Sequence, residues 1–327
     1  MKLGSGGGKK YKALLRRCLP TWLVHILLHF RFQLRLIREF SLDLIRYWRH
    51  SLPVHSNLAF ARRSSKNLEA QLIMDYHSIE KGMALPTPKR PYGRGKADQI
   101  GRAIPLGREI GVSESVISVA ESAQAAVRTW NDDGSLSAEI APVATGGNRG
   151  VADADVFFQS RHSVRDFSDR EVSDEELAHA VRLALQSPSV CNRQSWLVRF
   201  FRGADVSRAL SHQKGNTGFG HVVPAVALVT VDTRLFVGSG ERNQPWIEGG
   251  IFSMSLVWAL HALGLDSCML NLSLDNKWVE ALRKEFSIPE YESAIMMIAI
   301  GYGRDGHRVA RSPRRLASMV DLSPDRK

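Results

Sequence analysis

VPAVALVTV, residues 223–231, is an uncharged apolar run, and AIMMIAIG, residues 294–301, is a second. Short runs of this kind, rich in β-branched side chains, fit strands buried on both faces. Between them WIEGGIFSMSLVWALHALG (246–264) is apolar nearly all round. It predicts a buried helix stopped by Gly264. LDNKWVEALRKEF (274–286) has the pattern of an ordinary amphipathic helix. Upstream, Ser173-Asp174-Glu175-Glu176 forms a capping box, S-x-x-E, opening a helix with Leu177, Val181 and Leu185 on one stripe and Ala180 and Ala184 beside them. Strands and helices alternate without a regular βαβ beat, and no GxGxxG opens a helix. The pattern predicts an α+β fold rather than a Rossmann sheet.

Working outward, 327 residues suit two domains, or one large domain with an extension. The net charge of +11 is not spread evenly. Residues 1–63 hold 13 of the 44 Lys and Arg but only two of the 33 acids, Glu39 and Asp43, so this segment carries the whole excess. The remainder is neutral, which disfavours a nucleic-acid partner. Three cysteines, Cys18, Cys191 and Cys268, lie far apart with no C-x-x-C pair. No disulfide scaffold or structural zinc site is readable, and a reducing, cytoplasmic setting is expected.

The basic segment 1–63 reads as a helical amphipathic arm. Its opening GSGGGKK (4–10) looks flexible, and residues 21–50 place large apolar side chains among arginines. The run from Cys18 to Phe30 is too short to span a bilayer, and no small-residue cleavage site follows it. Two readings stay open. The helix packs on the body or on a second copy, or it lies in the plane of the inner face of a membrane as a peripheral contact. Residues 64–153 read as a helical extension and linker. SSKNLEAQLIMDYHSIEKGM (64–83) is a helix with Gly82 as its C-cap, PTPKRPYGRGK is a basic loop, Ser113–Trp130 is another helix, and 131–153 is the linker. His77 and Glu80 are three apart, too little on their own to define a metal site.

The stretch SRHSVRDF, 160–167, alternates Arg161, Ser163 and Arg165 around His162. In an extended backbone these three side chains share a face. Two guanidiniums that close call for an anion or electron-rich ring between them. The alternative is a solvated turn in which they pair with Asp166 or Asp169.

After SRHSVR come SPSVCNRQSW (187–196), the GG-containing apolar helix, LGLDSCMLNL, AIGYG and the basic tail RSPRR. This order and spacing resemble the FMN-dependent nitroreductase family over about residues 155–320. The resemblance implies a domain at 154–320 with a mixed central sheet flanked by helices, and a homodimer with flavin sites at its interface. It implies FMN as cofactor, NAD(P)H as hydride donor and a small-molecule substrate. Arg161 and Ser163 would hold the phosphate and ribityl end, and Arg165 would favour the reduced, anionic flavin near N1/O2. Pro188, Ser189 and Asn192 match a segment donated across the interface, and Gln194 and Trp196 match the Q-P-W positions, although Ser195 stands where proline is usual. Trp196 in the same block reads as core. Asn271 and Leu272 match the segment over the N5 face, where some members carry an acid followed by glycine. Of Arg311, Arg314 and Arg315, the last two are favoured as phosphate contacts.

The function expected from this resemblance is NAD(P)H-dependent reduction of a nitroaromatic or quinone-like substrate by a ping-pong cycle. No general acid or base is named. The alternatives are a flavin-dependent dehydrogenase or dehalogenase, a tailoring enzyme linked to surface polysaccharide through the DYHSIEKG block, or a membrane- or partner-binding module with a degenerate flavin domain.

Overall fold

The computed structural model describes residues 20–52, 64–143, 151–310, 312, 314–321 and 323. The GSGGGKK opening, the TGGNRG part of the expected linker and Arg311 lie outside the described residues. Nine α-helices are described: α1 Thr21–His50, α2 Ser65–Met83, α3 Arg94–Glu109, α4 Glu114–Asp133, α5 Ala154–Ser160, α6 Asp174–Ala184, α7 Ala204–Ser211, α8 Gln244–Ala262 and α9 Asn276–Glu285. The strands are β1 Trp196–Arg202, β2 Ala225–Asp232, β3 Asp266–Asn271 and β4 Glu292–Gly301, in sheet order β1-β2-β4-β3.

The two apolar runs are the two central strands. All of β2 is buried, as is all of β4 except half-buried Met296. Side chains alternate across β2: Ala225, Ala227, Val229 and Val231 face a core shared with α6 and α8, whereas Val226 and Leu228 face one shared with α7 and α9. The edge strands were harder to read because each carries polar residues. Arg199 of β1 is useful to the sheet, since it makes a two-pronged ion pair with buried Glu292 of β4 at 2.6 and 2.7 Å. The four strands are antiparallel throughout rather than mixed. Among the described residues, the parallel pairing to this sheet is one bridge, Ser163 to Ser267, laid along the free edge of β3.

The expected capping box is present, with Ser173 Oγ accepting from Glu176 N–H and the Glu176 carboxylate accepting from Ser173 N–H. The buried stripe of α6 is Leu177, Ala180 and Ala184, however, and Leu185 is exposed. Helix α8 ends as expected, at Gly264 with φ +76. It is not buried all round: Trp246, Ile247 and Ile251 are exposed on its outer side.

Residues 64–143 are more than an extension. Helices α2, α3 and α4 enclose their own core, including Leu68, Leu72, Ile100, Ile117 and Val127. Helix α3 escaped the sequence reading because its Gly- and Arg-rich lead and internal Pro105 look like helix breakers. Gly82 is not a cap; it lies within α2, where a Cβ would sit 2.0 Å from the Tyr92 ring. The described end of the arm touches this core. Leu52 has no exposed surface, joins this helical core and bridges Val237.

Candidate functional site

The SRHSVRDF segment runs extended beside β3. Val164 N–H donates to the Ser267 carbonyl at 3.1 Å, fixing Ser163 and Arg165 over the outer strand. Next to Ser267 on β3 is the buried Cys268. Burial pushes that thiol up from its ordinary value, while Arg165, a hydrogen bond with Ser163 and Arg161 pull the other way.

Neither guanidinium is neutralised by the neighbouring acids. Asp166 pairs with Arg304 at 3.1 Å instead. Arg161 stands 5.9 Å from the centre of the Trp258 ring, and Arg165 donates to the Ser163 carbonyl at 3.3 Å. Among the described residues neither makes an ion pair, so the self-paired turn is not what forms. Arg165 and His162 are exposed, and Arg161 is half-buried.

The second group, 188–194, is held in an unusual backbone. Cys191, Asn192 and Gln194 all have positive φ, of 50°, 54° and 47°. Three left-handed non-glycine residues within four positions carry strain that needs external support. Two buried charged residues supply it. The Arg193 guanidinium donates to the carbonyls of Val190 (3.1 Å) and Leu235 (2.6 Å) and to the Glu241 carboxylate (2.7 Å). Glu248, with no exposed surface, accepts from Val190 N–H at 2.7 Å and from the Ser195 hydroxyl at 2.9 Å. Burial pushes the Glu248 carboxyl above its ordinary value, and these donors partly offset it. Helix α2 backs the same turn, touching Val190–Asn192, and Asn67 donates to the Arg234 carbonyl at 2.8 Å.

With the loop clamped from beneath, Pro188, Asn192 and Gln194 are left exposed, and half-buried Ser189 accepts from Gln194 N–H at 3.0 Å. Ser195, in the place where proline was expected, is turned inward as the Glu248 ligand. Arg193 and Glu248 were missed from sequence. The only signal was an arginine inside the block and a lone acid in an apolar helix, a combination that marks a buried pair of anchors. Trp196 is core, as read, stacked on Phe252 at 5.1 Å.

Among the described residues no hydrogen bond or ion pair joins the two groups. Glu248 lies under the 188–194 loop near one end of α8, and Trp258 lies under Arg161 near the other. Ten residues of helix separate them by about 15 Å. The loop also leads into β1, at the sheet edge opposite β3.

Asn271 and Leu272 form a third group at the end of β3. They line a cavity of about 660 Å³ with Trp246 and with Phe32 and Arg35 of α1. Asn271 accepts from Gln213 through its carbonyl (2.9 Å) and from Ser273 N–H through its side chain (3.2 Å). Arg314 and Arg315 are exposed and donate to carbonyls of their own turn, Ser312 and Met319. No described contact brings them to Arg161. His77 and Glu80 pair with each other at 2.8 Å.

The Nitroreductase family model matches residues 158–212 and 201–302, so the C-terminal half carries the family's signature. An Archaeoglobus fulgidus protein provisionally named NADH dehydrogenase/NAD(P)H nitroreductase is 27% identical over 150 residues, 45% of this chain and 83% of that one. A provisionally named nitroreductase of Desulfovibrio desulfuricans, crystallised with FMN, is 20% identical over 52% of this chain and 95% of that one, with a TM-score of 0.45. An FMN-dependent nitroreductase of Clostridium difficile is 25% identical over 48% and 91%, with a TM-score of 0.39.

Proposed function

We propose, from the nitroreductase-family match of the C-terminal half, that this protein is an FMN-dependent oxidoreductase. It would take hydride from NAD(P)H and pass electrons to a small oxidised acceptor, nitroaromatic or quinone-like, in a ping-pong cycle. The observation that carries the reading is the pair of guanidiniums on the β3 edge that have no carboxylate partner among the described residues. Two such cations along one strand edge favour an anionic ligand long enough to reach both.

The donor set suits FMN. Arg161 and Ser163 would hold the phosphate and ribityl end, and Arg165 would set positive charge beside N1/O2. Arg314 and Arg315 would add phosphate contacts from the C-terminal tail. Asn271 and Leu272 would border the N5 face, with backbone rather than an acidic side chain as the nearest polar group. Bound FMN would supply the hydride chemistry. The protein's own part is to fix orientation and charge.

The loop 188–194 is already shaped by Arg193 and Glu248, so its outward polar groups would meet the cofactor without a reordering cost. Because it sits about 15 Å from Arg161 along α8, we propose that a second copy brings it to the site. A homodimer would thus complete two equivalent pockets, each walled by both chains.

The test is an absorbance spectrum of the purified protein before and after NADH or NADPH, with the released cofactor identified by mass. Flavin bands from FMN that bleach on addition of the nicotinamide support the reading. A protein whose bands persist is a flavoprotein of a different reaction, and a colourless protein that gains no bands with added FMN contradicts it.

A further inference from the structure

Helix α1 meets the body through Phe32, Arg35, Leu36, Glu39 and Asp43, spaced three and four apart as one side of a helix requires. The charged members of this side fasten it to the turn after β3. Arg35 pairs with Asp275, Glu39 accepts from Asn276 N–H at 2.7 Å, and Asp43 accepts from the Asn276 side chain at 3.2 Å. The apolar members are not packed down. Phe32 is 59% and Leu36 41% exposed, and Trp246, near the start of α8, is 49% exposed. The inner side of a helix ordinarily buries such residues. Here they line, with Asn271, Leu272 and Met296, the cavity of about 660 Å³ at the end of β3. That volume lies within the range of small-molecule sites.

We propose that this cavity binds the oxidised substrate, and that α1 restricts it to uncharged, flat aromatic molecules carrying an oxygen acceptor. The restriction is this chain's own, since the family match begins at residue 158 and α1 ends at His50. Charge argues for it. The charged side chains lining the cavity already have opposite partners within the chain: Arg35 with Asp275, Glu39 with Arg38 at 3.6 Å, and Asp43 with Arg46 at 3.2 Å. A charged ligand would give up its hydration with no ionic group left over to offset it. Phe32, Trp246 and Met296 suit a flat ring through stacking and thioether contact. Asn271 supplies the polar anchor. Its side-chain oxygen accepts from Ser273 N–H at 3.2 Å, and its amide nitrogen makes no hydrogen bond among the described residues, which leaves it to donate to a quinone or nitro oxygen. Asn271 and Leu272 are also the residues proposed to border the flavin N5 face. That the bound ring is reduced rests on the flavin reading; that it binds does not.

The experiment is equilibrium dialysis of the full-length protein, as purified, against 4-nitrobenzyl alcohol and against 4-nitrobenzoate, which share a nitroarene and differ in charge. The alcohol should bind about tenfold more tightly than the carboxylate. Leu36→Arg sets an unpaired cation over the cavity and should reverse that preference. Asn271→Asp keeps an acceptor for Ser273 N–H but loses the donor, and should weaken the alcohol about tenfold. Wild-type protein that binds neither compound, or both equally, overturns the proposal. So does a preference unchanged in a Leu36→Arg protein of wild-type helicity, because the ring then binds away from α1. The flavin reading fails differently. A colourless protein whose preference reverses in Leu36→Arg keeps this site and loses the reaction, whereas a yellow protein bleached by NADH whose preference ignores Leu36→Arg keeps the reaction and loses this site.

Discussion

Glu248 is a carboxylate with no exposed surface that holds the 188–194 loop through Val190 and Ser195. Because burial raises its folded-state value, the native protein binds a proton there more readily than the unfolded chain. The linked stability is fully present below the ordinary value of 4.5 and is lost as pH rises through the higher folded value. Glu248→Gln removes that dependence while keeping one acceptor and gaining one donor. Its melting temperature relative to wild type should therefore climb with pH above about 4.5 and then level; a difference that stays flat across thermal melts would show that the carboxyl does not titrate in this window. The two cations on the β3 edge have separate roles in this account. Arg165→Ala should slow reduction of bound flavin by NADH about tenfold, roughly 1.4 kcal/mol of barrier, measured by stopped-flow absorbance. Arg161→Ala should change that rate less and weaken cofactor retention instead. Equal, negligible effects of both would remove these assignments.

At the scale of elements, α8 is the rod on which the site is organised, and its paired glycines are not equivalent. A Cβ on Gly249 would meet Ile295 at 2.5 and 2.8 Å and Val231 at 3.0 Å, whereas one on Gly250 meets nothing within 4 Å. Gly249→Ala should cost about 1–3 kcal/mol by forcing the helix off the sheet. Gly250→Ala should be neutral or gain up to about 1 kcal/mol through helix propensity. Urea denaturation distinguishes them, and equal effects would mean that helix and sheet are not in the close contact described. The same elements explain what the sequence could and could not tell. Strands β2 and β4 were legible because burial on both faces leaves an unbroken apolar run. Strands β1 and β3 were not, because an edge strand keeps polar residues whose partners, such as Glu292 for Arg199, lie far along the chain. Helix α8 looked buried all round because hydrophobicity does not say whether an apolar face meets this chain or something else. The extended course of Arg161, Ser163 and Arg165 was legible from their period-two spacing, while Arg193 and Glu248 were hidden by the expectation that charged residues sit outside.

For the whole molecule, the three-helix layer of α2, α3 and α4 gives residues 64–143 a structural task, since it packs on the back of the 188–194 turn. Removing residues 1–63 would strip Leu52 from that core, so truncation is better made within α1 than at residue 63. The proposed division of the site between two copies has a direct consequence. A chain carrying Arg165→Ala and a chain carrying Asn192→Ala with Gln194→Ala should each be impaired as homodimers. Mixed and reassembled, they should recover about a quarter of wild-type NADH-driven turnover, since half the dimers are mixed and each of these holds one intact pocket; no recovery would place all the residues in one chain's pocket. The most direct measurement of the central claim is a fluorescence titration of FMN into apo wild-type protein and into the Arg161→Ala/Arg165→Ala variant. Loss of two charge-assisted contacts should weaken the dissociation constant by about a hundredfold, roughly 2.7 kcal/mol. Unchanged affinity in a variant that remains folded would contradict the account, because the cations on the β3 edge would then have no part in holding a flavin.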